Sequence, residues 1–132
     1  MAKVKREKNN ADIIRDSIVK GMQEKKAERI TLIDLKGLFN PLADFLVICT
    51  ANSDRQAQAI AEEVEKEVYK TVNEEPWLSE GKDLNEWIVL DYVNVIAHIF
   101  LEDKREFYGL EDLWGDGRIK EIEVTPESAD KK

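Results

Sequence analysis

An α/β fold, a mixed sheet of four or five strands flanked by helices, is predicted by three features of this 132-residue sequence. The run Asp44-Phe45-Leu46-Val47-Ile48-Cys49-Thr50 is continuously apolar in its centre, the pattern of a strand covered on both faces. Stretches before and after it carry apolar residues at spacings of three and four, as amphipathic helices that supply such cover do. The segment from Trp87 to Trp114 holds two of the three Trp, two of the three Tyr and the single His, in a chain that is 36% charged. A core, a partner surface or both therefore lies there.

Taken in order, residues 1–10 carry Lys3, Lys5, Arg6 and Lys8 against Glu7 and read as a disordered basic tip. Ala11, Ile14, Ile18 and Met22 share one helical face, with Asn10 as a fair N-cap and an end near Lys25. Glu28 to Lys36, with Ile30, Leu32, Ile33 and Leu35, suits a largely buried strand ending at Gly37, and the loop Leu38-Phe39-Asn40-Pro41 follows. After the second strand, Ser53-Asp54-Arg55-Gln56 has capping-box spacing, and Ala57, Ile60, Ala61, Val64 and Val68 form a stripe that runs on to about Val72. Pro76 breaks that helix, since proline cannot continue the ladder.

Trp77-Leu78 fits a short edge strand, and Glu86 to Tyr92 with Val93 to Phe100 fits a hairpin. Arg105 to Trp114 reads as a closing helix with Phe107, Leu110, Leu113 and Trp114 inward, stopped by Gly115 and Gly117. One domain over 11–117 results, with 118–132 left as a tail.

Composition narrows the function. With 28 acidic against 20 basic residues the formal charge is −8, the wrong sign for affinity based on phosphate neutralisation. A basic protein surface is the better target than nucleic acid. The single cysteine, Cys49, excludes an internal disulfide. The sequence has no 18-residue apolar segment, and its N-terminus lacks the apolar centre of a signal peptide, so a soluble, cytoplasmic protein without a membrane role is expected.

Chemical motifs are sparse. Thr50-Ala51-Asn52-Ser53 leads a buried strand into a helix N-terminus, yet no phosphate-binding glycine pattern accompanies it, and Ser53 reads as a cap. His98 with Cys49 could open a nucleophilic site, but Cys49 has no neighbouring charge to activate it and His98 reads as structural. Asp34, Asp44 and Asp91 fall at strand ends, and the enzymatic alternative is a divergent nucleotidyltransferase that uses Asp44 and Asp91 around a divalent metal. No catalytic residues, cofactor or metal are otherwise expected.

The Trp87 strand is more telling. Alternation places Trp87, Val89 and Asp91 on one face and Ile88, Leu90 and Tyr92 on the other, a natural core face. The first set has the composition of a protein-binding hot spot if that face is open. Cover by a helix is the equal alternative.

Over residues 11 to 117 the chain also resembles the ribosomal silencing factors, or Iojap-like proteins. The motifs that carry the resemblance are Lys25-Lys26-Ala27-Glu28, Asp34-Leu35, Ala43-Asp44-Phe45-Leu46-Val47-Ile48, Ser53-Asp54-Arg55-Gln56, Glu80-Gly81, Trp87 with Leu90-Asp91-Tyr92, Val95-Ile96-Ala97-His98-Ile99-Phe100, and Arg105 with Phe107-Tyr108, Leu110-Glu111 and Leu113-Trp114. The resemblance implies a nucleotidyltransferase-like sheet without known catalysis. It further implies docking on the fourteenth protein of the large ribosomal subunit, a steric block to subunit joining when nutrients are scarce, and a homodimer of the free factor. Trp87, Asp91 and Tyr92 match the family's partner-facing motif, so Trp87, Val89, Asp91, Tyr92 and Asn94 are the expected contacts. The chain departs from the pattern at Val93-Asn94, where the family usually has Gly-Asp, which sets a β-branched residue where glycine could hold a positive φ. Thr50-Ala51-Asn52-Ser53 likewise replaces the usual Ser-Gly-x-Ser.

Overall fold

The two strands with unbroken apolar centres pair with each other at the middle of the sheet. In the computed structural model, which describes residues 2–38, 41–109 and 118–122, the order of elements is α1 (Ala2–Glu24), β1 (Glu28–Asp34), β2 (Phe45–Ala51), α2 (Asp54–Val72), β3 (Leu78–Glu80), β4 (Trp87–Asp91), β5 (Val95–Leu101), α3 (Glu102–Tyr108) and β6 (Arg118–Ile122). The strands lie in the order β3-β4-β5-β2-β1-β6. Among the described strands only β2 and β5 are parallel; the other neighbours are antiparallel, so the sheet is mixed.

Alternation along each strand divides the apolar residues between two faces. On one, Phe45, Val47, Cys49, Ala51, Ile88, Leu90, Val95, Ala97 and Ile99 meet Ala11, Ile14, Ile18 and Met22 of α1 and Ala57, Ile60, Ala61, Val64 and Val68 of α2. The two helical stripes are thus buried as their spacing requires. On the other face Ile33, Leu46, Ile48, Ile96 and Phe100 form a second cluster, with Leu38, Trp87 and Val89 packed against it. Neither long helix contributes to that cluster.

The short α3 serves the second face at one end. Arg105 reaches from it, buried, and its guanidinium donates to the Arg29 carbonyl at 2.6 Å, Thr50 Oγ1 at 2.9 Å and Thr31 Oγ1 at 2.7 Å. These bonds hold β1 at its bulge between Glu28 and Thr31, where Arg29 has a φ of 50°.

Local chemistry accounts for the joints. Ser53 caps α2, accepting from the Gln56 N–H at 3.0 Å. The Gln56 side chain then accepts from the Asn52 N–H and donates to the carbonyls of Lys25 and Lys26, tying the end of α1 to the start of α2. Asn73, at a φ of 62°, closes α2.

Three sequence expectations need correction. The helix that the spacing starts at Asn10 begins at Ala2, so Asn10 lies inside α1 and is no N-cap; Ala2 to Asn9 contain no Gly or Pro to break a helix. Residues 118–122, assigned to the tail, form a sixth strand along β1, which would otherwise be an edge with unpaired backbone groups. The closing helix starts at Glu102 and stops at Gly109, whose φ of 60° ends it well before Gly115. The inward roles expected of the Phe107 side chain, Leu110, Leu113 and Trp114, and the stop at Gly115 and Gly117, lie outside the described residues, as do Phe39-Asn40 and the tail from 123 onward.

Gly21 sets the closeness of the two long helices. A Cβ there would lie 2.7 Å from the Val64 Cα and 2.9 Å from its nitrogen, so backbone meets backbone at the crossing. Beside it Ser17 Oγ and Thr71 Oγ1 share a hydrogen bond at 2.7 Å, and Glu67 pairs with Lys70 at 3.4 Å and Lys20 at 3.7 Å. Gly21→Val is expected to cost about 1–3 kcal/mol through overpacking, since its helix-propensity gain is only a few tenths. Urea unfolding checks this, with Gly37→Ala as control, because a Cβ at Gly37 meets nothing within 4 Å.

Candidate partner-binding face

Along β4, Ile88 and Leu90 point into the helix-covered core, while Trp87, Val89 and Asp91 are half-buried on the other face. They span about 13 Å of strand. Pairing with β5 sets Phe100, His98 and Ile96 opposite them in turn, and pairing with β3 adds Glu80 beside Val89 and Leu78 beside Asp91. Trp87 is therefore neither buried beneath a helix nor loose.

Two contacts fix its indole. The ring stacks on Phe100 with centroids 5.0 Å apart and planes at 26°, and Nε1 donates to His98 Nδ1 at 3.0 Å. His98 lies almost parallel to Phe100, at 10°. Burial lowers the His98 pKa to about 4, so near neutral pH the imidazole is uncharged and its Nδ1 is free to accept. Its proton then sits on Nε2.

Backbone also crowds Trp87. Gly81 has a φ of 88°, and a Cβ on it would fall 1.9 Å from the Trp87 carbonyl oxygen, a contact only glycine permits. The Leu101 N–H bonds to the Glu86 carbonyl at 2.9 Å, holding the approach to β4 against β5.

At the far end of β4 the chain turns sharply. Asn94 N–H bonds to the Tyr92 carbonyl at 2.9 Å across Val93, whose φ is 75°. This is a γ-turn with positive φ, and for a β-branched residue it stores strain of about 1–3 kcal/mol. Asp91 accepts the Val93 N–H at 2.7 Å, and the Asn94 carbonyl accepts from Asp44 and Phe45, anchoring the turn to the start of β2. Val93 thus holds the positive φ that a glycine would adopt freely, at a cost in strain.

Residues 8–132 match the family described as "Ribosomal silencing factor during starvation". The chain belongs to the ribosomal silencing factor family. It is 39% identical over 105 residues to "Ribosomal silencing factor RsfS" of Halalkalibacterium halodurans, covering 80% of this chain and 88% of that protein. A mouse relative named "Mitochondrial assembly of ribosomal large subunit protein 1" is 29% identical over 102 residues, which make up 75% of this chain and 44% of that protein. A Chromobacterium violaceum crystal structure superposes with a TM-score of 0.72 at 27% identity, covering 77% of this chain and 83% of that one.

Within this silencing-factor domain, four of the five expected contact residues lie on or beside the Trp87 face. Tyr92 does not. Strand alternation continues through it, so its ring joins Ile88 and Leu90 under the helices and is only 4% exposed. Its hydroxyl finds no hydrogen-bond partner among the described residues, and burial, aided by Glu65, Glu74 and Glu75, pushes its pKa up. Asn94 contributes its backbone N–H to the turn and its carbonyl to Asp44 and Phe45.

The motifs weighed for catalysis fall apart in space. Cys49 pairs in register with Ile99, not His98, and points to the helix-covered face, where burial raises its thiol far above the reactive range. Asp44 and Asp91 are separated by β5, and no group of three or more His, Cys, Asp or Glu side chains converges on a metal position among the described residues. Sequence reasoning missed the anchoring by Arg105 and the lock between Trp87 and His98. Neither leaves a local signal, since Arg105 joins residues far away in sequence and Trp87 meets His98 only once the register of β4 on β5 is set.

His98 ties this face to pH. Its ordinary pKa is 6.5, so below that value the unfolded chain takes up a proton that the folded chain refuses until about 4. The associated stability is complete above 6.5 and is lost as pH falls towards 4, approaching about 3 kcal/mol. Urea midpoints at neutral and acidic pH should therefore decline less in His98→Gln, which keeps an acceptor for the indole but does not titrate. Equal declines would show that His98 protonates as freely as an exposed imidazole.

Proposed function

We propose that this chain is a non-enzymatic silencer of translation that docks through the Trp87 face on a basic protein of the large ribosomal subunit. The observation that carries the reading is the face itself. A Trp held by stacking and a hydrogen bond, with Val89 and Glu80 next along the face and Asp91 and Leu78 at its far end, sits on the side of the sheet that α1 and α2 do not cover. A rigid aromatic anchor with a polar rim is what a protein hot spot needs, because little side-chain entropy remains to be lost on binding.

The family resemblance supplies the partner, the fourteenth protein of the large subunit, and the consequence, a steric block to joining of the small subunit under nutrient limitation. The formal charge of −8 suits a basic target and steers association towards it. The mouse relative, named for assembly of the large subunit, points to the same subunit. In this reading the protein works in the cytoplasm beside the ribosome, needs no cofactor, and exists as a homodimer when free.

Sucrose gradients of starved cells test it. The protein should travel with free large subunits and be missing from joined ribosomes, and Trp87→Glu should shift it to the top of the gradient while leaving a folded protein. Parent protein found only at the top would count against the reading.

A further inference from the structure

A cleft on the α2 side of the sheet has no part in the docking reading. It opens between α2 and the segment leading into β3, encloses about 480 Å³, and is lined by Glu62, Glu65, Lys66, Tyr69, Glu75 and Pro76. Spacings of three, four and seven put the first four on one face of α2, beside its buried stripe. The left-handed Asn73 then turns the chain, and the Trp77 N–H, bonded to the Asp91 carbonyl at 2.7 Å, holds Glu74 to Pro76 in place.

The charges there do not cancel. Glu62, Glu65 and Glu75 in the lining, with Glu74 beside them, stand against Lys66 and Lys82, the latter paired with Glu65. Four carboxylates against two ammonium groups leave a charge of −2. Glu67 and Lys70 of the same helix pair with each other on its α1 side, where Lys20 joins them, and alter nothing in the cleft. Among the described residues no three acidic side chains gather on one metal position, so the cleft suits an extended cation better than a single ion.

Behind the cleft lies an independent sign of a ligand. Tyr92 is only 4% exposed, and its hydroxyl has no hydrogen-bond partner among the described residues. The charges that act on it are Glu65, Glu74 and Glu75, the carboxylates of the cleft, and with burial they keep the phenol neutral. A neutral phenol oxygen still accepts, so an ammonium drawn between Glu65 and Glu75 would supply the partner it lacks. Tyr69, 52% exposed, adds an aromatic face for a cation, and Pro76 an apolar wall for a methylene stem.

We propose that this cleft binds an aliphatic diamine or polyamine, with one ammonium group between Glu65 and Glu75 above the Tyr92 hydroxyl, another at Glu62, and the methylene chain along Tyr69 and Pro76. The inference is independent of the docking reading, because no residue of the lining lies on the Trp87 face.

Calorimetric titration of the purified full-length protein with 1,4-diaminobutane at low salt tests it. One saturable site is expected, about tenfold weaker in Glu75→Gln, about threefold to tenfold weaker in Tyr69→Ala and Tyr92→Phe, and unchanged in Trp87→Glu. Tyr92→Phe should keep or raise the melting temperature, since it removes an unpaired buried hydroxyl, so weaker binding by that variant is not a folding defect. Butylamine, with one charge, should bind at least about tenfold more weakly than the diamine. Absence of saturable binding overturns the proposal. So does a Tyr92→Phe protein that binds like the parent, or magnesium ion that displaces the diamine at equal concentration, since either result describes a diffuse negative surface and not a site.

Discussion

The parallel pair of β2 and β5 is the constraint on which the rest of the structure depends. Every residue of β2 and six of seven in β5 are buried, so both strands need cover on both faces and hydrogen-bonded neighbours on both edges. The antiparallel neighbours β1 and β4 satisfy the edges, and α1 with α2 satisfies one face across a glycine-tight crossing. Among the described residues the other face receives only a short helix, anchored by one buried arginine. That unequal cover is why apolar side chains of β4 reach solvent at all.

Neutrality of His98 gives the exposed part of that face its rigidity. A charged imidazole could not accept the indole proton, and a mobile Trp87 would lose side-chain freedom on meeting a partner. Burial beside Phe100 keeps the imidazole neutral, so the same packing that stabilises the sheet also positions the indole. Stability and recognition are coupled in one aromatic cluster. Gly81 reinforces it by letting the neighbouring backbone close over the Trp87 carbonyl.

The two ends of β4 use different physics. At Trp87 the chain is relaxed and locked; at Val93 it is strained and exposed. Carboxylates lie near both ends, and the loop between β3 and β4 makes two ion pairs among the described residues, Lys82 with Glu65 of α2 and Glu86 with Lys104 of α3. The surface on this side of the molecule therefore combines apolar anchors with negative charge. Such a combination suits a basic protein partner better than a phosphate backbone.

Much was determined by the sequence alone. Spacing identified both helical stripes, alternation separated Trp87, Val89 and Asp91 from Ile88 and Leu90, and the ordered motifs pointed to the family. These are local patterns, and local patterns follow from helix and strand periods. For Tyr92 the sequence pointed two ways, to the core by alternation and to a partner by its place in a motif, and the tertiary structure chose the core. It also decided that residues 118–122 complete the sheet, that Arg105 joins α3 to two strands, and that His98 accepts from Trp87. Each of these joins residues across strand register or long sequence separation, where no period in the chain records which groups will meet.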